Sequence, residues 1–290
     1  MKINVIGDIH GRTCWKDLII NDGINVFVGD YFDPYEDISH QQLEDNFKEI
    51  LKLKEERPET ILLIGNHDAH YIYGEESSRY DLYFADTANK LLTENADKMQ
   101  VAVAFGANLI THAGVSVVWW LQQQGETVLS ARNINREPCD KCKTIEEAVE
   151  LAEEHFADAF YKNMVVFWKN CWWFKSRNGW ELALYSPQQV ADWINAKWKE
   201  RPQVFKFSKQ ASFWDHYGDS ECHGPLWIRP VTLCEVDLFK GGVTRQIVGH
   251  SQFDNIFFPS KSNEFGYDKH SNVVFVDCLG TTPNSYKFEI

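Results

Sequence analysis

The chain has 290 residues, 44% of them hydrophobic and 14% aromatic, and its 42 acidic and 29 basic side chains give a net charge of −13. That is enough apolar material for one large domain or two small ones. The acidic balance repels a long polyanion such as DNA, no run of lysine or arginine offers a nucleic-acid groove or lipid-headgroup site, and no stretch approaches the ~20 apolar residues of a membrane span.

Three short apolar runs come first: Lys2–Gly7, Asn25–Gly29 and Thr60–Gly65. Between the last two, Gln42–Glu56 has helical spacing, with Leu43, Phe47, Ile50 and Leu51 on one face. Strands alternating with helices predict an α/β sheet with helical crossovers. Val101–Phe105 and Leu109–His112 read as a hairpin turning at Gly106-Ala107-Asn108. From about 115 to 222 the pattern is helical and strongly aromatic, with Trp168, Trp172, Trp173, Trp180, Trp193, Trp198 and Trp214. Helices are expected over Thr144–Phe160, capped by Thr144, and Pro187–Lys199, capped by Ser186. Strands are expected again at Leu233–Val236, Gln246–Gly249 and Val273–Asp277. The helical block therefore reads as an insertion into a single domain spanning 1–290. Its indoles either form the insertion's own core or stack on a nucleobase; burial is the commoner use of large aromatics.

The apolar run after Met1 is broken at Asp8, too early for a signal peptide, so a cytoplasmic location is expected. Seven scattered cysteines agree with reduced core thiols. Cys139 and Cys142 form a lone C-x-x-C, without the second pair that a zinc ribbon needs.

The polar residues at the strand ends carry the chemistry. Each of the first three runs stops at a glycine and is followed by metal-ligand residue types: Asp8-x-His10, Asp30-Tyr31-Phe32-Asp33 and Asn66-His67-Asp68. Later strands supply His112 and His250. Ligands in α/β sheets bind beyond the carboxyl ends of strands, so five ends are expected to converge on one crevice. Carboxylates with neutral imidazoles suit Mn, Fe or Zn, with Ni and Mg as further candidates. Two such cations about 3.5–4 Å apart, bridged by a carboxylate, can hold a hydroxide and neutralise phosphoryl oxygens.

Taken together, Gly7-Asp8-Ile9-His10-Gly11, Gly29-Asp30-Tyr31-Phe32-Asp33, Gly65-Asn66-His67-Asp68, His112-Ala113-Gly114 and Gly249-His250 resemble the five ordered metal motifs of the calcineurin-like metallophosphoesterase superfamily. The resemblance implies an α/β fold with a central two-sheet β-sandwich flanked by helices, here with the helical aromatic-rich insertion. It implies that Asp8, His10 and Asp30 bind one divalent metal and that Asp30, Asn66, His112 and His250 bind a second, with Asp30 bridging. A phosphate ester of a small molecule or a phosphoprotein would be hydrolysed by metal-activated hydroxide. His67 would be the general acid, with Asp33 orienting it. The alternatives are a dinucleoside polyphosphate or nucleotide hydrolase using the same site, and a catalytically silent metal-binding scaffold.

Gly249-His250-Ser251-Gln252 lacks the Gly-His-x-His of many diesterase-like members. It is more similar to the branch holding serine/threonine protein phosphatases, lambda phage phosphatase and diadenosine tetraphosphatases. Leu226-Trp227-Ile228-Arg229 resembles that branch's tryptophan-arginine segment, which implies a phosphate contact for Arg229, and Val276-Asp277 falls at its Asp-Thr-Gly strand end. Pro34 and Tyr35 stand where the branch has Arg and Gly, so one two-pronged phosphate contact is missing. Asp68 stands where it has Glu. His70, one helical turn beyond His67, is expected beside or behind the site, and His40, His155, His216, His223 and His270 have no assigned role.

Overall fold

A computed structural model describes the chain except for residues 75–77, 127, 129, 134–141, 156–163, 177, 208–218, 262–266 and 269–270. In chain order, the first third contains β1 (Lys2–Ile6), β2 (Gly23–Phe27), α1 (His40–Glu56), β3 (Ile61–Leu63), α2 (Asn66–Tyr73), α3 (Ala85–Glu94), β4 (Met99–Gln100), β5 (Ala102–Phe105) and β6 (Asn108–Thr111). The middle contains α4 (Val117–Gln123), β7 (Ser130–Asn133), α5 (Ile145–His155), β8 (Met164–Trp168), β9 (Cys171–Ser176), β10 (Gly179–Leu182) and α6 (Pro187–Glu200). The last part contains α7 (Pro230–Val236), β11 (Arg245–Val248), β12 (Val273–Phe275) and β13 (Ser285–Glu289).

Two sheets form the expected sandwich. One has the order β13-β1-β2-β3-β4, the other β12-β11-β6-β5. Strands β1 to β4 pair in parallel, and β11 pairs in parallel with both β6 and β12, so the carboxyl ends of four strands lie along one edge of the first sheet and those of three along one edge of the second. Alternation along each strand sorts the side chains. Ile3, Val5, Val26, Val28 and Leu63 meet Ile110, Ile247, Val274 and Val276 between the sheets. The opposite residues, Phe27, Leu62, Leu109 and Val248 among them, face a larger core with the helices. The expected hairpin is present, with Phe105 opposite Asn108 and Gly106 at a φ of 56°.

Helix α1 begins at His40, two residues before the expected Gln42, and carries a reciprocal cap: Gln42 N–H donates to Ser39 Oγ (3.3 Å), and Ser39 N–H to Gln42 Oε1 (3.0 Å). Ser186 makes the same reciprocal cap with Gln189 on α6. Thr144 Oγ1 accepts from Glu147 N–H at the start of α5 (3.2 Å). The predicted residues 156–160 of that helix lie outside the described residues, as do Cys139, Trp214, His216 and His270. On the far side, Asn195 of α6 accepts from Val101 N–H (2.9 Å) and Ala102 N–H (3.0 Å), tying the middle segment to β5.

Two elements differ from the sequence expectation. Leu233–Val236 is the end of helix α7, not a strand. Pro230 starts that helix at the position where its missing N–H costs nothing, and a four-residue apolar run has no period of its own. The middle segment also holds a four-stranded sheet, in the order β10-β9-β8-β7, beside its helices. Both of its faces are apolar. Val165, Phe167, Trp172 and Phe174 join the main core, while Val166, Trp168 and Trp173 pack with Ile145, Ala148 and Val149 of α5. A sheet covered on both sides shows no polar alternation, so its strands read as generic aromatic sequence. Trp119, Trp120, Trp168 and Trp172 are all buried. Among the described residues, Cys14, Cys142, Cys171, Cys222, Cys234 and Cys278 are free thiols, and no helix is long and apolar enough to cross a membrane.

Candidate metal centre

The strand ends do converge. Asp8 and His10 follow β1, Asp30 and Asp33 follow β2, Asn66 and His67 begin α2 after β3, His112 follows β6, and His250 follows β11. All eight side chains lie in the crevice at the ends of the parallel strands, and Asp8, Asp30 and His112 are essentially without solvent exposure. One ligand atom from each of these three lies within 4.8 Å of the other two. His112 Nε2 is 3.5 Å from Asp30 Oδ2, and His10 Nε2 is 3.7 Å from the same oxygen. Asn66 Oδ1 lies 2.8 Å from His112 Nε2 and 2.9 Å from His250 Nδ1. Asp30 Oδ1 accepts from His67 N–H (2.8 Å), and Asp8 Oδ2 from His250 N–H (2.9 Å).

The backbone is bent to achieve this. Of seven described non-glycine residues with positive φ, five surround the crevice: His10, Asp30, Asp33, Arg79 and His250. Each such conformation costs on the order of 1 kcal/mol or more and persists only where its surroundings hold it. Asp68 supplies part of that hold. Its carboxylate accepts N–H groups from Gly65 (2.8 Å), Asp30 (2.8 Å) and Tyr31 (2.9 Å), so one side chain pins the turn after β2 to the start of α2. A methyl group on Gly29 would meet Gly65 Cα at 2.7 Å, which explains why these turns carry glycine.

The imidazoles are presented in one manner. His10 Nδ1 is hydrogen-bonded to the Phe32 carbonyl (2.9 Å), His112 Nδ1 to the Val28 carbonyl (3.0 Å), and His250 Nε2 to the Trp227 carbonyl (3.1 Å). A carbonyl only accepts, so each of these nitrogens carries the proton and the other nitrogen turns a bare lone pair into the crevice. His112 Nε2 and His250 Nδ1 then face each other at 3.2 Å with no proton between them. That contact is repulsive unless a cation sits there, and the donor set fits a metal. Burial keeps all three rings neutral: it holds His10 down to about 3, lowers His112, and, with Arg229 adding to it, lowers His250 further.

The carboxylates agree. Burial, then the charges of Asp277 and Asp30, push Asp8 well above the usual carboxylate range. Burial likewise raises Asp277 to about 7 against the pull of Arg12, and its Oδ1 is buried without a hydrogen-bond partner among the described residues. Burial opposes ionisation of Asp30 too, but the surrounding His112, His67 and His10 outweigh it and Asp30 stays below the usual range. Crowded anions beside bare imidazoles are the arrangement that divalent cations relieve.

A second cluster adjoins the first. Asp33 Oδ2 lies 2.7 Å from His67 Nδ1 and 2.7 Å from His70 Nε2, and Asp33 Oδ1 accepts from the Tyr71 hydroxyl. Burial resists the Asp33 charge, but the His67 and His70 hydrogen bonds outweigh it and its carboxyl is lowered. His67 and His10 rings are 5.4 Å apart, so His67 looks onto the carboxylate cluster. Arg79 Nη2 is 3.0 Å from His67 Nε2; a guanidinium only donates, so Nε2 accepts and the His67 proton sits on Nδ1, toward Asp33.

His70, expected beside or behind the site one helical turn beyond His67, shares Asp33 with it. Sequence reasoning passed over Arg79 altogether. Asp68 was legible as a carboxylate at the third position of a helix start, a common backbone-capping place. Arg229 lies beside His250, donating to Ser251 Oγ (3.1 Å) and the His250 carbonyl (3.4 Å).

Buried carboxylates and bare imidazoles gathered at the ends of parallel strands could hold a metal ion. The calcineurin-like phosphoesterase family model matches residues 1–254, and the chain belongs to that family. It is accordingly a metal-dependent phosphohydrolase. No curated protein matches the sequence. Among solved structures, a cold-active protein tyrosine phosphatase is similar at 17% identity and a TM-score of 0.50, covering 99% of this chain and 73% of the other. A point mutant of a cold-active protein tyrosine phosphatase is similar at 18% identity and a TM-score of 0.52, with 99% and 75% covered. At these identities the likeness is one of fold.

Proposed function

We propose that the protein hydrolyses a phosphate ester at a two-metal centre. Asp8, His10 and Asp30 would hold one divalent cation, and Asp30, Asn66, His112 and His250 the other, with Asp30 shared. The observation that carries this reading is the common presentation of His10, His112 and His250: each protonated nitrogen is tied to a backbone carbonyl and each bare nitrogen faces a carboxylate or another bare nitrogen. The imidazole and carboxylate donors favour Mn, Fe or Zn. When bound, the cations supply Lewis acidity toward the phosphoryl oxygens and lower the pKa of water.

The protein's own groups do the rest. His67, at the edge of the cluster, takes up a proton from water at Nε2 and, as the imidazolium, gives it to the ester oxygen as the P–O bond breaks. Asp33 holds the ring through Nδ1 and stabilises its positive form. Tyr71 and His70 fix Asp33 in turn. Substrate reaches this centre as a small phosphorylated molecule or a phosphorylated protein side chain; the net charge of −13 disfavours extended nucleic acid. We read 1–290 as one unit with 115–222 inserted, and the free thiols as those of a cytoplasmic protein.

The test is turnover of p-nitrophenyl phosphate, bis-p-nitrophenyl phosphate and a dinucleoside polyphosphate by metal-stripped protein before and after reloading with Mn²⁺. We expect turnover of at least one ester only after reloading. Exclusive turnover of the polyphosphate would move the reading to nucleotide anhydrides, and two bound ions with no turnover would make the protein a metal-binding scaffold.

A further inference from the structure

We propose that Arg79, stacked on Tyr35, is the residue that grips the substrate's phosphoryl oxygens, and that it selects dianionic phosphate monoesters. The inference rests on the proposed phosphoesterase reading and deepens it. The Arg79 guanidinium carbon lies 3.5 Å from the Tyr35 ring centroid, in face contact. The Tyr35 ring meets the His10 ring edge-on at 5.0 Å, so the platform stands at the rim of the carboxylate cluster. Arg79 Nη2 reaches His67 Nε2 at 3.0 Å. Arg79 Nη1 is buried and has no hydrogen-bond partner among the described residues. A buried guanidinium donor with nothing to bind is costly, and it is supplied here next to the nitrogen that faces the leaving oxygen. The Asp33-Pro34-Tyr35 segment itself carries no arginine; what it offers is the aromatic face.

Arg79 also has a φ of 64°, a conformation that contacts must hold in place for any residue but glycine. The backbone strain, the stacking and the orphan donor all serve to present one planar fork to the crevice. A phosphoryl group whose ester oxygen faces His67 Nε2 puts its non-bridging oxygens within reach of that fork. The guanidinium then passes from Nε2 to the phosphoryl oxygens, which leaves Nε2 free to take up a proton from water and to face the leaving oxygen with it. A monoester dianion has three non-bridging oxygens to share between the fork and the cations, whereas a diester has two and a single negative charge and gains less from Arg79.

Four variants test this: Arg79→Ala, Arg79→Lys, Tyr35→Ala and Tyr35→Phe, each loaded with Mn²⁺. Two readouts are taken, inorganic phosphate binding by calorimetry and kcat/KM on p-nitrophenyl phosphate and bis-p-nitrophenyl phosphate. Arg79→Ala is expected to weaken phosphate binding about 10- to 100-fold and to lower the monoester kcat/KM by a similar factor, with the diester changed only a few-fold. Arg79→Lys restores part of the loss because it keeps charge without the fork. Tyr35→Phe, which keeps the ring that Arg79 stacks on, loses less than Tyr35→Ala, which loses a few-fold. The proposal is overturned by unchanged phosphate binding in Arg79→Ala, by equal losses on both esters, or by no phosphate binding to the wild type. If Arg79→Ala fails to fold, the Arg79→Lys and Tyr35→Ala measurements decide by the same criteria. If wild type turns over neither ester but binds phosphate through Arg79, the phosphoesterase reading fails and the assignment of Arg79 as the anion-gripping residue stands.

Discussion

His67→Ala lowers kcat by about 10²- to 10⁴-fold on esters with poor leaving groups, and by much less on p-nitrophenyl phosphate. The difference follows from the role of the ring. An alkoxide leaving from phosphorus needs a proton as the P–O bond breaks, whereas p-nitrophenolate leaves readily without one. His67 is placed for that transfer by three contacts: Nδ1 to Asp33 (2.7 Å), its own N–H to Asp30 Oδ1 (2.8 Å), and the edge of the His10 ring. A series of aryl and alkyl phosphates measures the effect as the dependence of log kcat on leaving-group pKa. That dependence steepens in His67→Ala. Asp33→Asn shows the same steepening to a smaller degree, since it keeps the ring's neighbour but loses the charge that supports its positive form. Parallel lines for wild type and His67→Ala would remove His67 from the acid role. Metal content should be near wild type in both variants, because neither side chain is needed as a ligand.

Asp30→Asn has the largest expected effect on the centre itself. Its Oδ2 is the atom that both His10 and His112 approach, and its side chain is the one that could serve both ion positions. Replacing the carboxylate with an amide keeps an acceptor for His67 N–H, so the fold should survive, as far-ultraviolet circular dichroism would report. It removes the negative charge between two cations. The expected outcome is loss of at least one bound ion per chain and a fall in kcat of about 10³-fold or more, on the order of 4 kcal/mol in the barrier. Full occupancy with near-normal kcat would mean that Asp30 does not bridge.

Much of this site can be read from the chain because parallel strands leave a plain trace. Lys2–Gly7, Asn25–Gly29 and Thr60–Gly65 are nearly all apolar, since both faces of the sheet are covered, and each stops abruptly where ligand-type residues begin. The helix caps at Thr144 and Ser186 are equally local and equally legible. Arg79 is not. It lies in the connection between α2 and α3, and only the path of that connection in space brings it over Tyr35, 44 residues earlier in the chain. His70 was visible as a neighbour of His67 on one helix face, but not as a second partner of Asp33, which comes from another strand end. The same limit applies to the middle segment. Its tryptophans are packed on both sides of β8 and β9, so hydrophobic spacing showed burial without showing which kind of element was buried.

The central claim is that the crevice holds two cations sharing one carboxylate, and its most direct test is electron paramagnetic resonance of metal-stripped protein titrated with Mn²⁺. The account predicts uptake of two ions per chain and the appearance of an exchange-coupled spectrum on binding of the second, both lost in Asp30→Asn. A single uncoupled ion at saturation, or coupling that survives Asp30→Asn, would contradict it.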